Sequence, residues 1–355
     1  MNSFAAKVIN PLTDERWNSF VFNHPYGSIY QHSSWLSVIA HSYRHIKPIS
    51  FILESNSSDI HVAVPCCIVS SWLTGKRLVS LPFSSFSDPL TNDFEDFRRM
   101  FEELIKEMHR LSCDYFELRQ LRNTSVQDDE RLCKYIQHKI HILEIGEGFE
   151  NIRKNFHKDC IVRSVRKAEK AHLIIEQCES EEGLREFYYI HAVTRKRLGF
   201  PIQPYIFFKN MWNIMRQGDF ITVLLAKLRG KTIAGIVLFK FKDMVSFEHG
   251  ASLQEYLHTR PNHLLIWRSI EMACSEGFRY FNLGKTTIDN TGLLDFKKRW
   301  GAQVFDVPYF YYPKIQGIMS LDNRSIKHNF ISNLERRLPL SIAKALSKIA
   351  YRHLG

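Results

Sequence analysis

The sequence predicts an α/β protein of the α+β kind: two similar units of mixed, mostly antiparallel sheet flanked by helices, followed by a C-terminal amphipathic helix. Three observations carry this. The chain has 355 residues, 45% of them hydrophobic, which is too many for one ordinary core and suits two. The second half runs strand, two helices, a three-stranded meander, helix, strand, helix and strand, and the first half follows a looser version of that order. The last forty residues then leave the pattern. These shifts divide the chain into residues 1–147, 148–314 and 315–355.

The elements follow from periodicity. In the first unit, Gln31–Tyr43 is helical, with Trp35, Val38 and Ile39 at i, i+3 and i+4. The runs PISFILES and DIHVAVPCCIVSSWL are strands joined by the polar turn Ser55–Asp59, and RLVSLPF is a third that ends in the Ser- and Pro-rich loop Ser84–Pro89. Phe94–Leu111 is an amphipathic helix burying Phe97, Phe101, Leu104, Ile105 and Met108. DYFELRQL and HKIHILEI are strands.

The pattern restarts near Gly146–Phe149 with a basic helical stretch, then the strand LIIEQC. Ser180 caps a helix over Glu181–Leu198 whose acidic first turn suits the helix dipole. PYIFFKNMWNIMRQG is a helix ending at Gly218. FITVLLAKL, TIAGIVLFKF and MVSFEHGAS, with two tight turns, make a three-stranded antiparallel meander. Pro261 and Asn262 open the next helix, YFNLG is a short strand, residues 292–300 form a helix, and FDVPYFYYP closes the unit. Leu338–Leu354 is the amphipathic tail helix, with Ile342, Leu346 and Ile349 as its apolar stripe; it either docks on its own protein or lies at a membrane or dimer interface.

The formal net charge is +11, which favours polyanionic or anionic partners: nucleic acid, nucleotide-linked substrates or an anionic membrane surface. Seven cysteines, with no CxxC pair, read as reduced structural thiols, and no metal site is expected. Cys160 sits among His157, Lys158 and Arg163, yet no acid–base partner at fixed spacing supports a nucleophile. The N-terminus is not a signal peptide, and no apolar run of about eighteen residues crosses a membrane. The expected location is cytoplasmic, with any membrane contact peripheral, at the inner surface.

The stretch GLLDFKKRWGA, Gly292–Ala302, concentrates the chemistry. At about 100° per residue, Leu293, Phe296 and Trp300 share one helix face. Lys297 falls on that face, while Asp295, Lys298 and Arg299 point elsewhere. A cation among apolar residues is either a snorkelling lysine or an electrostatic catalyst.

The element order of the second half matches the acyltransferase fold known as GNAT. Together, RSVRKAEKAH, HAVTRKRLGFP and NLGKTTIDNTGLLDFKKRWGAQ, with YQHSSWLSV and LPFSSFSDPL in the first half, resemble the FemABX family over about residues 25–315. The likeness is greatest to its FemAB-related members of bacterial exopolysaccharide loci. FemABX proteins are GNAT-fold ligases that carry amino acids from aminoacyl-tRNA onto the peptide stem of a peptidoglycan precursor. In them a Phe-Lys pair lies at the reaction centre, so the resemblance implies that Phe296 and Lys297 are catalytic, the lysine stabilising the oxyanion.

Further candidates surround that pair. Arg163, Arg166, Lys167 and Lys170 recur on one helical stripe that can hold phosphates or simply face solvent. Arg197, in TRKRLGFP, borders by resemblance the acceptor cleft, where an arginine clamps a diphosphate or carboxylate. Asn282 and Lys285, with the short strand YFNLG where the strand ends of a splayed sheet diverge, and Trp300 are expected to bind substrate. Of Glu248 and His249, strand alternation allows one to enter the cleft and relieve the attacking amine of its proton.

Two departures from the family pattern matter. Members that bind a uridine-diphosphate precursor have a lysine shortly after the Trp of the first-half landmark, and here none precedes Lys47. No heptad run suggests the helical hairpin of the bridge-forming members. The stretch ASLQEYLHTRPNHLLIW also lacks the glycines with which acetyl-CoA-binding relatives cradle pyrophosphate. The expectation is an N-acyltransferase acting on an amine of a peptidoglycan or surface-polysaccharide precursor, needing no covalently bound cofactor. Aminoacyl-tRNA or acyl-CoA is the expected co-substrate; tRNA is a partner in the first case, and no DNA partner is expected. An acyl-CoA-dependent N-acetyltransferase and a non-catalytic binding protein of polysaccharide assembly are the alternatives. Residues 335–354 are the segment expected to touch a membrane.

Overall fold

The computed structural model describes residues 5–122, 126, 129–313 and 336–354. It divides into two compact units: of the described residues, the first holds those up to 137, 306–313 and 349–354, and the second holds 138–305 and 336–348. Residues 315–335, expected to begin the tail, lie outside the described part.

The first unit holds a sheet in the order β1 (Ala5–Ile9), β2 (Ile46–Glu54), β3 (Ile60–Ser71), β4 (Gly75–Val79), β5 (Tyr115–Arg119) and β12 (Gln303–Tyr312). Every pairing is antiparallel except β4 with β5. That parallel pair requires a crossover, and α3 (Phe94–Arg110), which follows α1 (Trp17–Asn23) and α2 (Ser33–Ser42), supplies it. Asp93 caps α3 by accepting the Asp96 N–H, and Phe97, Met100, Phe101, Leu104 and Met108 are its buried stripe. The structure places β12 here: Tyr309–Tyr312 pair with β5. The sequence pattern assigns this strand to the second unit instead, because it follows that unit's last helix.

The second unit repeats the plan. Its sheet runs β7 (Ile174–Gln177), β8 (Ile221–Leu228), β9 (Lys231–Phe241), β10 (Met244–Ser252), β11 (Tyr280–Thr287) and β6 (Cys133–Glu144). Again only one pair, β10 with β11, is parallel, and α8 (Pro261–Ser275) crosses between them. The central strand β9 is buried from Thr232 to Phe241 and apolar without a break from Ile233 to Phe239. Helices α6 (Glu181–Leu198) and α7 (Tyr205–Met215) follow β7; Ser180 caps α6 as its sequence predicts, and Gly199, left-handed at φ 75°, ends it. The basic stretch before β7 opens with the short α4 (Phe149–Ile152) and contains a π-helical turn, Lys158–Val162, continuing into α5 (Arg163–Lys170). The core gathers Ile161, Val165, Leu238, Val245, Ile270, Phe281 and Trp300.

The C-terminal helix, Leu340–Ala350, is seated by small residues. Ala343 packs with Ala192 and Ile202, and the Ile202 N–H donates to Ser347 Oγ. The stripe Ile342, Leu346 and Ile349 is on the outside. Among the described residues no helix is long and apolar enough to cross a membrane.

Candidate active site

The site begins where the parallel strands of the second unit part. Pairing of β10 with β11 stops at Ser246 and Asn282. Beyond it both strands carry an irregularity: β10 bulges between Phe247 and His249, and β11 shifts register against β6 between Asn282 and Lys285. Gly284 makes the second bend possible. Its φ is +81°, and a Cβ there would lie 2.8 Å from the Phe247 carbonyl oxygen.

Asn282 holds this bend. Expected to line a substrate cleft, it is fully buried; its Oδ1 accepts the Gly284 N–H at 2.8 Å and its Nδ2 donates to Ser246 Oγ at 3.3 Å. A short polar side chain that satisfies the backbone of a departing strand is a structural device.

Helix α9 (Thr291–Lys298) delivers Lys297 to the same bend. Asn290 caps α9 by accepting the Leu293 N–H. Lys297 is only 7% exposed. Its Nζ donates to the Gly284 carbonyl at 2.7 Å and to Thr286 Oγ1 at 2.7 Å, with the Lys285 carbonyl farther off at 3.4 Å. Two ammonium hydrogens are thus well bonded and the third has only a long contact. Burial brings the Lys297 pKa down to about 7, against which the nearby Glu248 carboxylate favours the charged form.

The helix arithmetic needs one correction. Leu293 is 36% exposed and does not share the buried side of Lys297, because α9 is short and only its C-terminal end enters the core. Phe296 is half-buried, edge-on to Trp300 at 6.2 Å and to His263 at 5.2 Å. Trp300 is fully buried against Phe156 at 5.2 Å, and its Nε1 has no hydrogen-bond partner. Lys298 and Arg299 are exposed; Arg299 Nη1 donates to Cys160 Sγ.

The β10 bulge sorts the next two candidates. Glu248 is near enough to act on the charge of Lys297. His249 instead enters an aromatic cluster, 5.2 Å from Phe208, 6.1 Å from Phe207 and 5.7 Å from His191. Enclosure there, with Arg195 adding to it, pushes the His249 pKa down to about 3; His191, buried without a hydrogen bond to either ring nitrogen, is held well below the usual imidazole value by the same burial. Both rings are neutral near pH 7.

The cations divide by burial. Arg163, Arg166, Lys167 and Lys170 stand exposed on α5, whose Ser164, Val165 and Ala168 face inward. Arg197 is half-buried near the end of α6; its Nε is fully buried and has no hydrogen-bond partner. Lys285 is half-buried between Gly284 and Thr286. A cavity of about 310 Å³, lined by Leu173, Leu224, Leu264 and the paired Glu169 and Arg268, is bordered by none of these candidates.

Sequence reasoning missed Thr286, the second strong acceptor of Lys297, and His141. Alternation on β11 was the available signal for Thr286, two residues beyond Gly284. His141 is fully buried on β6; burial, with Lys297 and Lys298 nearby, lowers its pKa to about 4. Among the described residues no group of three or more His, Cys, Asp or Glu is placed to hold a metal.

A mixed sheet whose one parallel pair splays at a bulge, served by a helix carrying a buried cation, has the GNAT fold. In agreement, residues 156–298 match the family described as Acetyltransferase (GNAT) domain. The fold of nearly the whole chain is that of the crystal structure of FemX: TM-score 0.72, 15% identity, 89% of this chain and 99% of that one covered. L-PGS from Bacillus licheniformis is also similar, at TM-score 0.58 and 12% identity over 92% of this chain and 98% of that one. A tandem GNAT protein from the clavulanic acid biosynthesis pathway, TM-score 0.55 and 10% identity, covers 89% of this chain and is itself covered in full. No curated protein sequence matches the chain.

Proposed function

We propose that the chain is an N-acyltransferase that moves an aminoacyl group from aminoacyl-tRNA, or another activated acyl group, to an amine of a peptidoglycan or surface-polysaccharide precursor. One observation carries this reading: the Lys297 ammonium, fixed by Gly284 and Thr286 where the strands part, has one hydrogen without a good acceptor.

That geometry suits a developing oxyanion. The amine attacks the acyl carbon and a C–N bond forms. The carbonyl oxygen gains charge and takes the third Lys297 hydrogen in place of the long Lys285 contact. Glu248, the carboxylate beside Lys297, receives the proton of the amine. The C–O bond of the ester, or the C–S bond of a thioester, then breaks, the acyl C=O re-forms, and the departing oxygen or sulfur takes up the proton that Glu248 received. Phe296, the residue before the lysine, packs against Trp300 and His263. Arg197, with its unpartnered buried Nε, is the anion clamp for the acceptor, and the α5 cations hold phosphates of the donor.

The FemX likeness supports a peptidoglycan-type acceptor, and the likeness to L-PGS widens the range of acceptors to consider. An acyl-CoA donor is the second reading. It is favoured by the acetyltransferase family match and by the N-terminus of α8, which no side chain caps and which follows Arg260. Native mass spectrometry of the purified chain separates the two. Bound coenzyme A supports the thioester donor, and co-purified tRNA supports the ester.

A further inference from the structure

Amphipathic helices normally turn their aliphatic stripe inward. The C-terminal helix does the reverse. Taking Leu340 as zero on a wheel of about 100° per residue, Ala343, Ser347 and Tyr351 lie within about 60° of it, on the docked side. Ile342, Leu346 and Ile349 lie roughly 180–240° away, and all three are exposed, by 46%, 43% and 55%. Docking through Leu340, Ala343, Ser347 and Tyr351 leaves three branched aliphatic side chains in water, an arrangement that burial elsewhere would stabilise.

The charges around the stripe say what covers it. Residues 336–355 contain five Lys or Arg and no Asp or Glu. Lys344 turns inward over the Tyr188 ring at 4.8 Å, but Lys348 and Arg352 are exposed beside the stripe, and Arg336 and Arg337 are exposed before the helix. Their long stems can run along an apolar phase and deliver charge to anionic headgroups. A second copy of the chain fits poorly, since a two-fold contact through this face would oppose the same cations with no acid to neutralise them.

We propose that this face of the helix Leu340–Ala350 seats the protein on an anionic lipid bilayer, with Ile342, Leu346 and Ile349 entering the headgroup–acyl boundary. The inference goes beyond the acyl-transfer reading and rests on different residues. The test is sedimentation of the intact protein with extruded vesicles of phosphatidylcholine, alone or mixed with phosphatidylglycerol. The parent should bind the anionic vesicles preferentially, and added salt should weaken that binding. The triple variant Ile342→Ser, Leu346→Ser, Ile349→Ser should bind about tenfold or more weakly with its thermal melt preserved. Lys348→Glu with Arg352→Glu should remove the preference for anionic lipid. Four results would each overturn the proposal: no binding by the parent, equal binding to both vesicles, unchanged binding by the triple variant, or a dimer in light scattering that the triple variant dissociates.

Discussion

The ammonium of Lys297 donates to the carbonyl of Gly284 across 2.7 Å, so the last turn of α9 is tied to the bend at which β11 leaves β10. The group that would act on an acyl carbonyl is therefore also part of what holds the splayed strands apart.

This double role shapes the first prediction. Lys297→Met keeps most of the side-chain volume but leaves the Gly284 carbonyl and Thr286 hydroxyl buried without their donor. Such losses cost about 1–3 kcal/mol, against a burial penalty for the charge that the variant no longer bears. Denaturant midpoints should show a folded protein with a modest change in stability.

The pH dependence has a definite sign. Lys297 sits near 7 in the folded chain and near 10.5 unfolded. Between those values the unfolded chain binds more protons, so stability rises with pH across that window, and below 7 the full penalty is present. The stability of the parent minus that of Lys297→Met should therefore increase from about pH 6 to about pH 10. A flat difference in paired denaturation curves would contradict the burial of the charge.

Thr286→Val removes an acceptor that favours charged Lys297 while keeping the side chain's shape. If the ammonium serves the oxyanion, kcat/KM of the parent falls as pH rises through the lysine's titration. In the valine variant that limb should move to lower pH. The pH–rate profile checks it.

Gly284→Ala forces a Cβ to within 2.8 Å of the Phe247 carbonyl at a positive φ. A loss of about 1–3 kcal/mol is expected, read as a lower denaturation midpoint, together with loss of activity because Lys297 loses its anchor.

Arg197→Gln removes a guanidinium whose Nε is buried without a partner. If it clamps an anionic acceptor, KM for that acceptor should rise with kcat nearly unchanged. A fall in kcat alone, in steady-state kinetics, would place Arg197 elsewhere in the reaction.

Much of this was legible in the sequence for physical reasons. Ser180, the Phe97–Met108 stripe and the apolar run of β9 are local signals, and the structure reproduces them. Lys297 was legible because a lysine breaking an apolar face is conspicuous. What escaped was non-local. Nothing near Tyr309–Tyr312 announces pairing with Arg119–Phe116. The role of Asn282 depends on Ser246, 36 residues away. Leu293 misled because helix periodicity gives direction and not depth. The outward stripe of the C-terminal helix escaped for the opposite reason: periodicity finds the stripe, but Ala343 and Ser347 decide which side docks.

Acyl transfer itself is the reaction in which the role of Lys297 can be read without an intermediary. Bulk tRNA charged with radiolabelled amino acids and, in parallel, radiolabelled acetyl-CoA would be offered to the parent and to Lys297→Met, with a bacterial fraction of nucleotide- and lipid-linked wall precursors as acceptor. Label should enter the acceptor fraction with the parent and fall by about 10²–10³-fold with the folded variant. Transfer by Lys297→Met at the parent's rate, or no transfer by the parent from either donor, would refute an acyltransferase that works through this lysine.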